Sequence, residues 1–345
     1  MISTLTDPTP IFELFRGSYA TELLTAAVAH LNVFGRLAQQ PLTPADLGQA
    51  LGLAERPMVV LVTALRAFGL LAIDAQGRLV LSDLGREHLL PGAAFDVGDY
   101  IGLAANSPGV LEMVERLRTN RPAEHSAGVA FIYRNGVRSA MENEAAARHF
   151  TLALAGRAKN VAPVLADKLL LSDARLLVDV AGGTGIYSIA LLQKNPGLRA
   201  IVLDRPEVLK IAQEMASSHG VADRLSVQAA DMFRDPIPEA DVILLSNVLH
   251  DWDVPECRTL IARCAASLRL GGRLLIHDVF LNDALDGPLP MALYSAALFT
   301  LTEGRLYSAA EYRAWLAEAR LAAGPVTPTL IHCGVLAARR TDFSS

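Results

Sequence analysis

The chain has 345 residues, a formal net charge of -5, three cysteines and eight histidines, enough for about two domains at roughly 150 residues each. Its acidic balance, with pI near 5.9, leaves no electrostatic footprint for nucleic acid or for an anionic membrane. Mean hydropathy is +0.31 with 52% hydrophobic residues, yet no uninterrupted apolar run approaches the roughly 18 residues of a membrane span, so the surplus fits a dimer interface.

The opening residues mix Asp7, Pro8, Pro10, Glu13 and Arg16, unlike a secretory signal, and the expected location is cytoplasmic. Residues 10–40 carry Ile11, Phe12, Leu14, Phe15, Leu23, Leu31 and Phe34, more apolar surface than one helix face needs, which a partner subunit would cover. Thr43, Pro44 and Asp46 read as the start of a short helix, followed by a helix from Arg56 to Phe68 and a hairpin of Leu70–Ile73 and Leu79–Leu81. This order predicts a winged helix within a mainly helical domain over 1–100. Its second helix has only Arg56 and Arg66 as basic residues, which argues against DNA binding. A helical bridge is expected over 101–165, and from 166 to 345 strands and helices alternate as in a doubly wound, mostly parallel α/β fold. There, the helix opening at Val254 is expected to run to Leu268 and close at Gly271, a further helix to span Tyr312–Ala322, and Leu330–Ala337 to form the last strand. Cys257, Cys264 and Cys333 form no CxxC pair, and the histidines form no H-x-x-x-H or H-E-x-x-H pattern, so no metal site is expected.

The segment Val178–Gly185, VDVAGGTG, ends an apolar run with an acid at Asp179 and then breaks into Gly182, Gly183 and Gly185. This is a buried strand turning tightly into a helix, where glycine lets a ligand approach the main chain. Gly183, Gly185 and Ser188 loosely imitate a dinucleotide fingerprint, with Asp204 about 20 residues on. A pyrophosphate gains nothing from a carboxylate just before the loop, whereas a ligand bearing an ammonium and a sulfonium does, so Asp179 favours S-adenosylmethionine over NAD. Asp204 and Asp231 end the next two apolar runs, putting acids at successive strand ends on one sheet edge.

With SNVLHDWD (Ser246–Asp253), LDRPEV (Leu203–Val208), ADMF (Ala230–Phe233) and GGRLLIHD (Gly271–Asp278) in this order, the chain resembles the small-molecule O-methyltransferases, the plant phenolic enzymes and their bacterial natural-product-tailoring relatives. The resemblance implies a Rossmann-like class I methyltransferase domain behind an N-terminal dimerisation domain, a homodimer, and a small hydroxylated aromatic substrate. It makes Asp179, Gly182, Gly183 and Gly185 the methionine and loop contacts, Asp204 the ribose acid, and Asp231 with Met232 the adenine contacts. Ser246 takes a cofactor position where plant members often carry lysine. His250 becomes the general base and Asp278 its orienting acid, where the family usually has glutamate. Phe150, Leu154, Ala297 and Leu298 become pocket-wall positions. A second orienting glutamate is replaced by Leu306, and Glu303 beside it is read either as a solvated acid or as a candidate replacement.

Methyl transfer is an in-line displacement that needs one proton removed. Passing a proton from a phenol of pKa about 10 to a histidine of pKa about 6.5 is uphill by roughly 5 kcal/mol, and a sulfonium about 4 Å away offsets about 4 kcal/mol of this at an effective dielectric near 20. Two other readings stay open on the sequence. One is a cofactor-binding relative with non-methylating chemistry, hydroxylase, decarboxylase or cyclase, suggested by Leu306. The other is a winged-helix regulator.

Overall fold

The computed structural model describes residues 1, 3–121 and 144–341. In chain order the first elements are α1 (Thr9–Arg16), α2 (Ala20–Thr25, continued by a π-helical turn), α3 (Val33–Gln39), α4 (Pro44–Leu51), α5 (Glu55–Ala67), β1 (Leu71–Ile73) and β2 (Leu79–Leu81). Three short helices follow, α6 (Asp83–His88), α7 (Gly98–Gly102) and α8 (Pro108–Thr119), and then the long α9 (Glu144–Lys168). The α/β part runs β3 (Leu176–Val180), α10 (Ile186–Lys194), β4 (Arg199–Asp204), α11 (Pro206–Ser218), β5 (Leu225–Ala229), β6 (Ala240–Ser246), α12 (Val254–Ser267) and β7 (Leu268–Leu281). It closes with α13 (Leu289–Leu301), β8 (Tyr307–Ser308), α14 (Ala309–Glu318), β9 (Leu321–Pro328) and β10 (Cys333–Arg340).

These elements belong to two compact units, Met1–Phe12 with Arg138–Phe280 and Ala309–Ser345, and Glu13–Val137 with Leu281–Ser308. In the first, the strands lie in the order β5-β4-β3-β6-β7-β10-β9. The pairs β4–β5, β3–β4, β3–β6 and β6–β7 are parallel, and β10 is antiparallel to both its neighbours. The order reverses between β3 and β6, the switch point at whose carboxyl edge open α/β sheets bind ligands. Leu177, Val178 and Val180 of β3 are fully buried, as are Val242, Ile243 and Leu244 of β6, the continuous apolar runs that a sheet covered on both faces requires.

The second unit centres on Leu23, Phe34, Leu47, Leu61, Leu65, Met113, Leu117 and Phe299. Helix α4 starts as expected, with Thr43 Oγ1 accepting from the Asp46 N–H at 3.1 Å and proline in the first turn. Helix α5 is a core helix. Arg56 is buried and donates through Nη1 to the carbonyls of Thr302 and Gly304, at 3.0 Å each, while Arg66 is held by the Ala284 and Leu285 carbonyls. Neither cation is presented as a nucleic-acid contact. No helix among the described residues is long and apolar enough to cross a membrane.

Three sequence expectations need correction. Helix α12 stops at Ser267, and Gly271, with φ +75°, lies within β7, where the register against β6 shifts between Ala240 and Val242. It marks a bulge and not a helix end. Helix α14 ends at Glu318, and the following Leu321–Pro328 is a strand. The N-terminal apolar excess is also smaller than its composition suggested, since Leu23, Leu31 and Phe34 are buried, while Ile11, Leu14 and Phe15 remain exposed at 68%, 84% and 82%.

Candidate functional site

The first unit brings the predicted acids and histidine to the carboxyl edge of its sheet. At the end of β3, Asp179 is completely buried. Its Oδ2 accepts from the Ser188 hydroxyl at 2.6 Å, whereas its Oδ1, shielded from solvent, has no hydrogen-bond partner among the described residues. Burial pushes the carboxyl up to about 7, against the Ser188 hydrogen bond and reinforced by the neighbouring Asp204 charge. The glycine turn is shaped around this acid: a Cβ on Gly182 would lie 2.6 Å from the Asp179 carboxyl carbon, and Gly183 and Gly185 have φ of +60° and +67°. Gly185 also caps α10, so the chain leaves the acid directly into a helix start.

At the end of β4, Asp204 Oδ2 accepts from the Gly183 N–H at 2.8 Å and Oδ1 from the Arg205 N–H at 2.7 Å. Burial raises it above the usual carboxylate value, although both amides oppose the shift. It therefore ties the glycine turn to the start of the next helix. Asp231, beyond β5, is exposed, and its Oδ1 accepts from the Phe233 N–H at 2.8 Å. Met232 is half-buried and its carbonyl accepts from Arg263 Nε at 2.9 Å.

The stretch after β6 forms a short 3-10 turn, Leu249–Asp251, which delivers His250 to Asp278 of the adjacent strand β7. His250 Nδ1–H donates to Asp278 Oδ1 at 2.6 Å. Asp278 Oδ1 also accepts from the Val279 N–H at 2.8 Å, and its Oδ2 from the Tyr312 hydroxyl at 3.4 Å. Asp251 stands 3.7 Å from His250 Nε2. Burial presses His250 down, but the Asp278 and Asp251 carboxylates carry it above the ordinary histidine value. Burial likewise pushes Asp278 up, and the His250 charge and hydrogen bond hold it below the usual carboxylate range. Burial sets Asp251 at about 6. Since a carboxylate only accepts, this geometry fixes the tautomer with its proton on Nδ1.

On the other face of β7, the buried His277 joins Ser246, Asn247, Tyr187 and Thr329 in a polar cluster that sequence reasoning missed. Ser246 Oγ lies 2.8 Å from His277 Nδ1, and Asn247 Nδ2 donates to Ser246 Oγ at 3.1 Å. Burial and the Arg157 guanidinium push His277 down to about 3, so it is neutral. Its adjacency to Asp278 in IHD was the available signal, with opposite-facing neighbours following from strand alternation.

The predicted wall residues fall in both units. Leu154 is exposed on α9, and Phe150 lies on the same helix with a side chain outside the described residues. In the second unit, Ala297 is half-buried and Leu298 buried on α13. Leu306 is fully buried, its N–H donating to Ser295 Oγ at 3.1 Å, and Glu303 is half-buried. Among the described residues, no group of three or more histidines, cysteines or acids is placed to hold a metal ion.

The model of the O-methyltransferase domain family matches residues 110–321. The solved structure of an O-methyltransferase family 2 protein from Planctomyces limnophilus in complex with apigenin is 49% identical, covers 99% of this chain and 98% of its own, and superposes with a TM-score of 0.89. The 3-hydroxy-5-methyl-1-naphthoate 3-O-methyltransferase of Streptomyces sahachiroi is 34% identical over 315 residues, 90% of this chain and 89% of the relative. The tetracenomycin polyketide synthesis 8-O-methyl transferase of Streptomyces glaucescens is 30% identical over 321 residues, 90% of this chain and 91% of the relative.

Proposed function

Because the chain belongs to the O-methyltransferase family, we propose that it transfers a methyl group from S-adenosylmethionine to a hydroxyl of a small aromatic molecule, with His250 as the general base. The observation that carries this reading is the buried His250–Asp278 pair at 2.6 Å, on the same sheet edge as the acid-lined glycine turn. When bound, the cofactor supplies an electrophilic methyl on a sulfonium.

The residues of the turn suit that cofactor chemically. Asp179 is a buried acceptor waiting for a donor, and a cationic group is what would restore its charge. We assign Gly182, Gly183 and Gly185 to the close backbone approach, Asp204 to the ribose hydroxyls, Asp231 and Met232 to the adenine, and Ser246 to the adjoining cofactor wall. His250 takes the acceptor's proton on Nε2, because Nδ1 already carries the proton donated to Asp278. Asp278 keeps the ring oriented and stabilises the imidazolium that results. Where the resemblance expects a second orienting glutamate, this chain has Leu306, and Asp251 supplies a second carboxylate near the ring.

The apigenin bound by the Planctomyces protein and the naphthoate and polyketide named for the Streptomyces relatives favour a fused-ring phenolic acceptor. The exposed Ile11, Leu14 and Phe15 support a homodimer built through the N-terminal 100 residues.

The deciding experiment incubates the protein with methyl-labelled S-adenosylmethionine and a panel of hydroxynaphthoates and flavones, and reads the mass gain of one methyl. His250→Ala is expected to lower the rate by roughly 10² to 10⁴ with S-adenosylhomocysteine affinity nearly unchanged. Rates within a few-fold of wild type would remove His250 from the base role. Cofactor turnover with no methylated product on any acceptor would favour the non-methylating reading.

A further inference from the structure

Asn247 leaves β6 with φ +56°, a left-handed conformation that asparagine tolerates better than most residues. Its N–H donates to the His277 carbonyl at 2.8 Å, and its Nδ2 is shared between Ser246 Oγ at 3.1 Å and the Tyr187 hydroxyl at 3.4 Å. The direction of the cluster's hydrogen bonds fixes which end of the amide points where. A neutral His277 has one N–H, and its Nε2 is 3.3 Å from Thr329 Oγ1. With that proton on Nε2, Nδ1 accepts the Ser246 hydroxyl hydrogen, and Ser246 Oγ is left to accept from Asn247 Nδ2. The amide oxygen is thereby turned away from the cluster, where it is shielded from solvent and has no hydrogen-bond partner among the described residues.

One other side-chain oxygen among the described residues shares this condition, Asp179 Oδ1. The two are linked through the first turn of α10: Ser188 binds the other oxygen of Asp179, and the adjoining Tyr187 binds the amide nitrogen of Asn247. They flank β3 and β6, the pair at which the sheet order reverses. Leaving each buried acceptor without a donor carries its full desolvation penalty. A ligand that relieves both must be rich in donors, and beside a carboxylate it must be cationic. A primary ammonium meets both conditions, with three N–H donors and no acceptor.

Resting on the cofactor assignment above, we propose that Asn247 is a cofactor-binding residue whose Oδ1 accepts a hydrogen bond from the ammonium of the amino-acid part of S-adenosylmethionine, the group whose charge Asp179 balances. His277, Thr329 and Tyr187 act through it as positioning residues that hold the amide in this orientation, with Ser246, itself assigned to the cofactor wall, relaying the hydrogen bond to His277.

The test is calorimetry of S-adenosylhomocysteine and of its analogue lacking the amino group, on wild type, Asn247→Leu and Asn247→Asp. Asn247→Leu is expected to weaken S-adenosylhomocysteine about tenfold, as loss of one hydrogen bond to a charged donor would, while changing affinity for the deaminated analogue by less than twofold. Asn247→Asp retains an acceptor and is expected to restore S-adenosylhomocysteine binding to wild-type strength or better. Equal weakening of both ligands by Asn247→Leu would mean that the amide only holds the scaffold, and unchanged affinity for S-adenosylhomocysteine would mean that no contact exists; either overturns the inference while leaving the cofactor assignment standing. Failure of the wild-type protein to bind S-adenosylhomocysteine at all would overturn both.

Discussion

Replacing Asp179 by asparagine is expected to stabilise the ligand-free protein while weakening its hold on the cofactor. The acid is fully buried and pushed up to about 7, whereas in an unfolded chain it titrates near 3.9. Between these values the folded state binds the proton more tightly than the unfolded state does. Stability therefore falls as pH rises through this window, and the whole cost is present above pH 7. Three pKa units at 1.36 kcal/mol each amount to about 4 kcal/mol. Asparagine never ionises and keeps an oxygen for the Ser188 hydroxyl, but its Nδ2 then occupies the site of the partnerless oxygen and returns about 1–2 kcal/mol of the gain. The net expectation at pH 8 is roughly 2 kcal/mol, which for 345 residues at about 2.1 cal/mol/K of unfolding entropy per residue is a rise in melting temperature of about 3 °C.

Calorimetric melts of both proteins at pH 8 and pH 5 check this. At pH 5 the cost of ionising Asp179 has shrunk to about 1–2 kcal/mol, the unpaired amide cancels it, and the two proteins are expected to melt together. At pH 8 the variant is expected to bind S-adenosylhomocysteine at least tenfold more weakly. A variant that melts below wild type at pH 8, or whose advantage is the same at both pH values, would show that the buried charge is not what sets the stability of this turn.

Three further outcomes are expected. In the proposed mechanism His250 and Asp278 act as a unit, so the double variant His250→Ala with Asp278→Ala should transfer methyl scarcely more slowly than His250→Ala alone, and additive losses in single-turnover rates would break the pair. The base must be neutral to accept a proton, so the rate is expected to rise with pH through a value above 6.5, where the neighbouring carboxylates hold His250; Asp278→Asn removes the larger of these charges, and its pH–rate limb should move to lower pH. Light scattering should report twice the 36.9 kDa chain mass, and Leu14→Asp with Phe15→Asp should halve it, whereas a wild-type monomer at micromolar concentration would exclude the dimer.

Much of the candidate site's geometry is legible in the sequence because its punctuation is local. An acid at a strand end, three glycines and a helix start fall within ten residues, and His250 lies in a loop directly after an apolar run. Asn247, Tyr187 and His277 escape such reading because their meaning is set across the sheet. Ser246 meets His277 only through the register of β6 on β7, and Tyr187 reaches Asn247 from a helix 60 residues earlier. Strand β9 was hidden for another reason. Its sequence LAAGPVTP contains glycine and two prolines, and a strand can carry them because β9 lies at the edge of the sheet. Gly271 misled in the opposite direction, since a positive φ serves a bulge as readily as a helix end.

The two halves of the site are prepared differently, and this bears on how substitutions in them should act. Asp278 is saturated, with His250, Val279 and Tyr312 all donating to it, so the imidazole is oriented before any ligand arrives and needs no reorganisation when the proton moves. At the proposed cofactor end the position is reversed, since Asp179 and Asn247 each keep a buried oxygen without a donor among the described residues. Unsatisfied acceptors of this kind raise the free energy of the ligand-free state and are relieved only when donors arrive. Substitutions at the saturated end should therefore appear in the rate of transfer and spare cofactor affinity. Substitutions at the unsatisfied end should appear in affinity and, with opposite sign, in the stability of the ligand-free protein. If Asp179→Asn and His250→Ala shifted affinity and rate in the same proportion, this division of labour would be wrong.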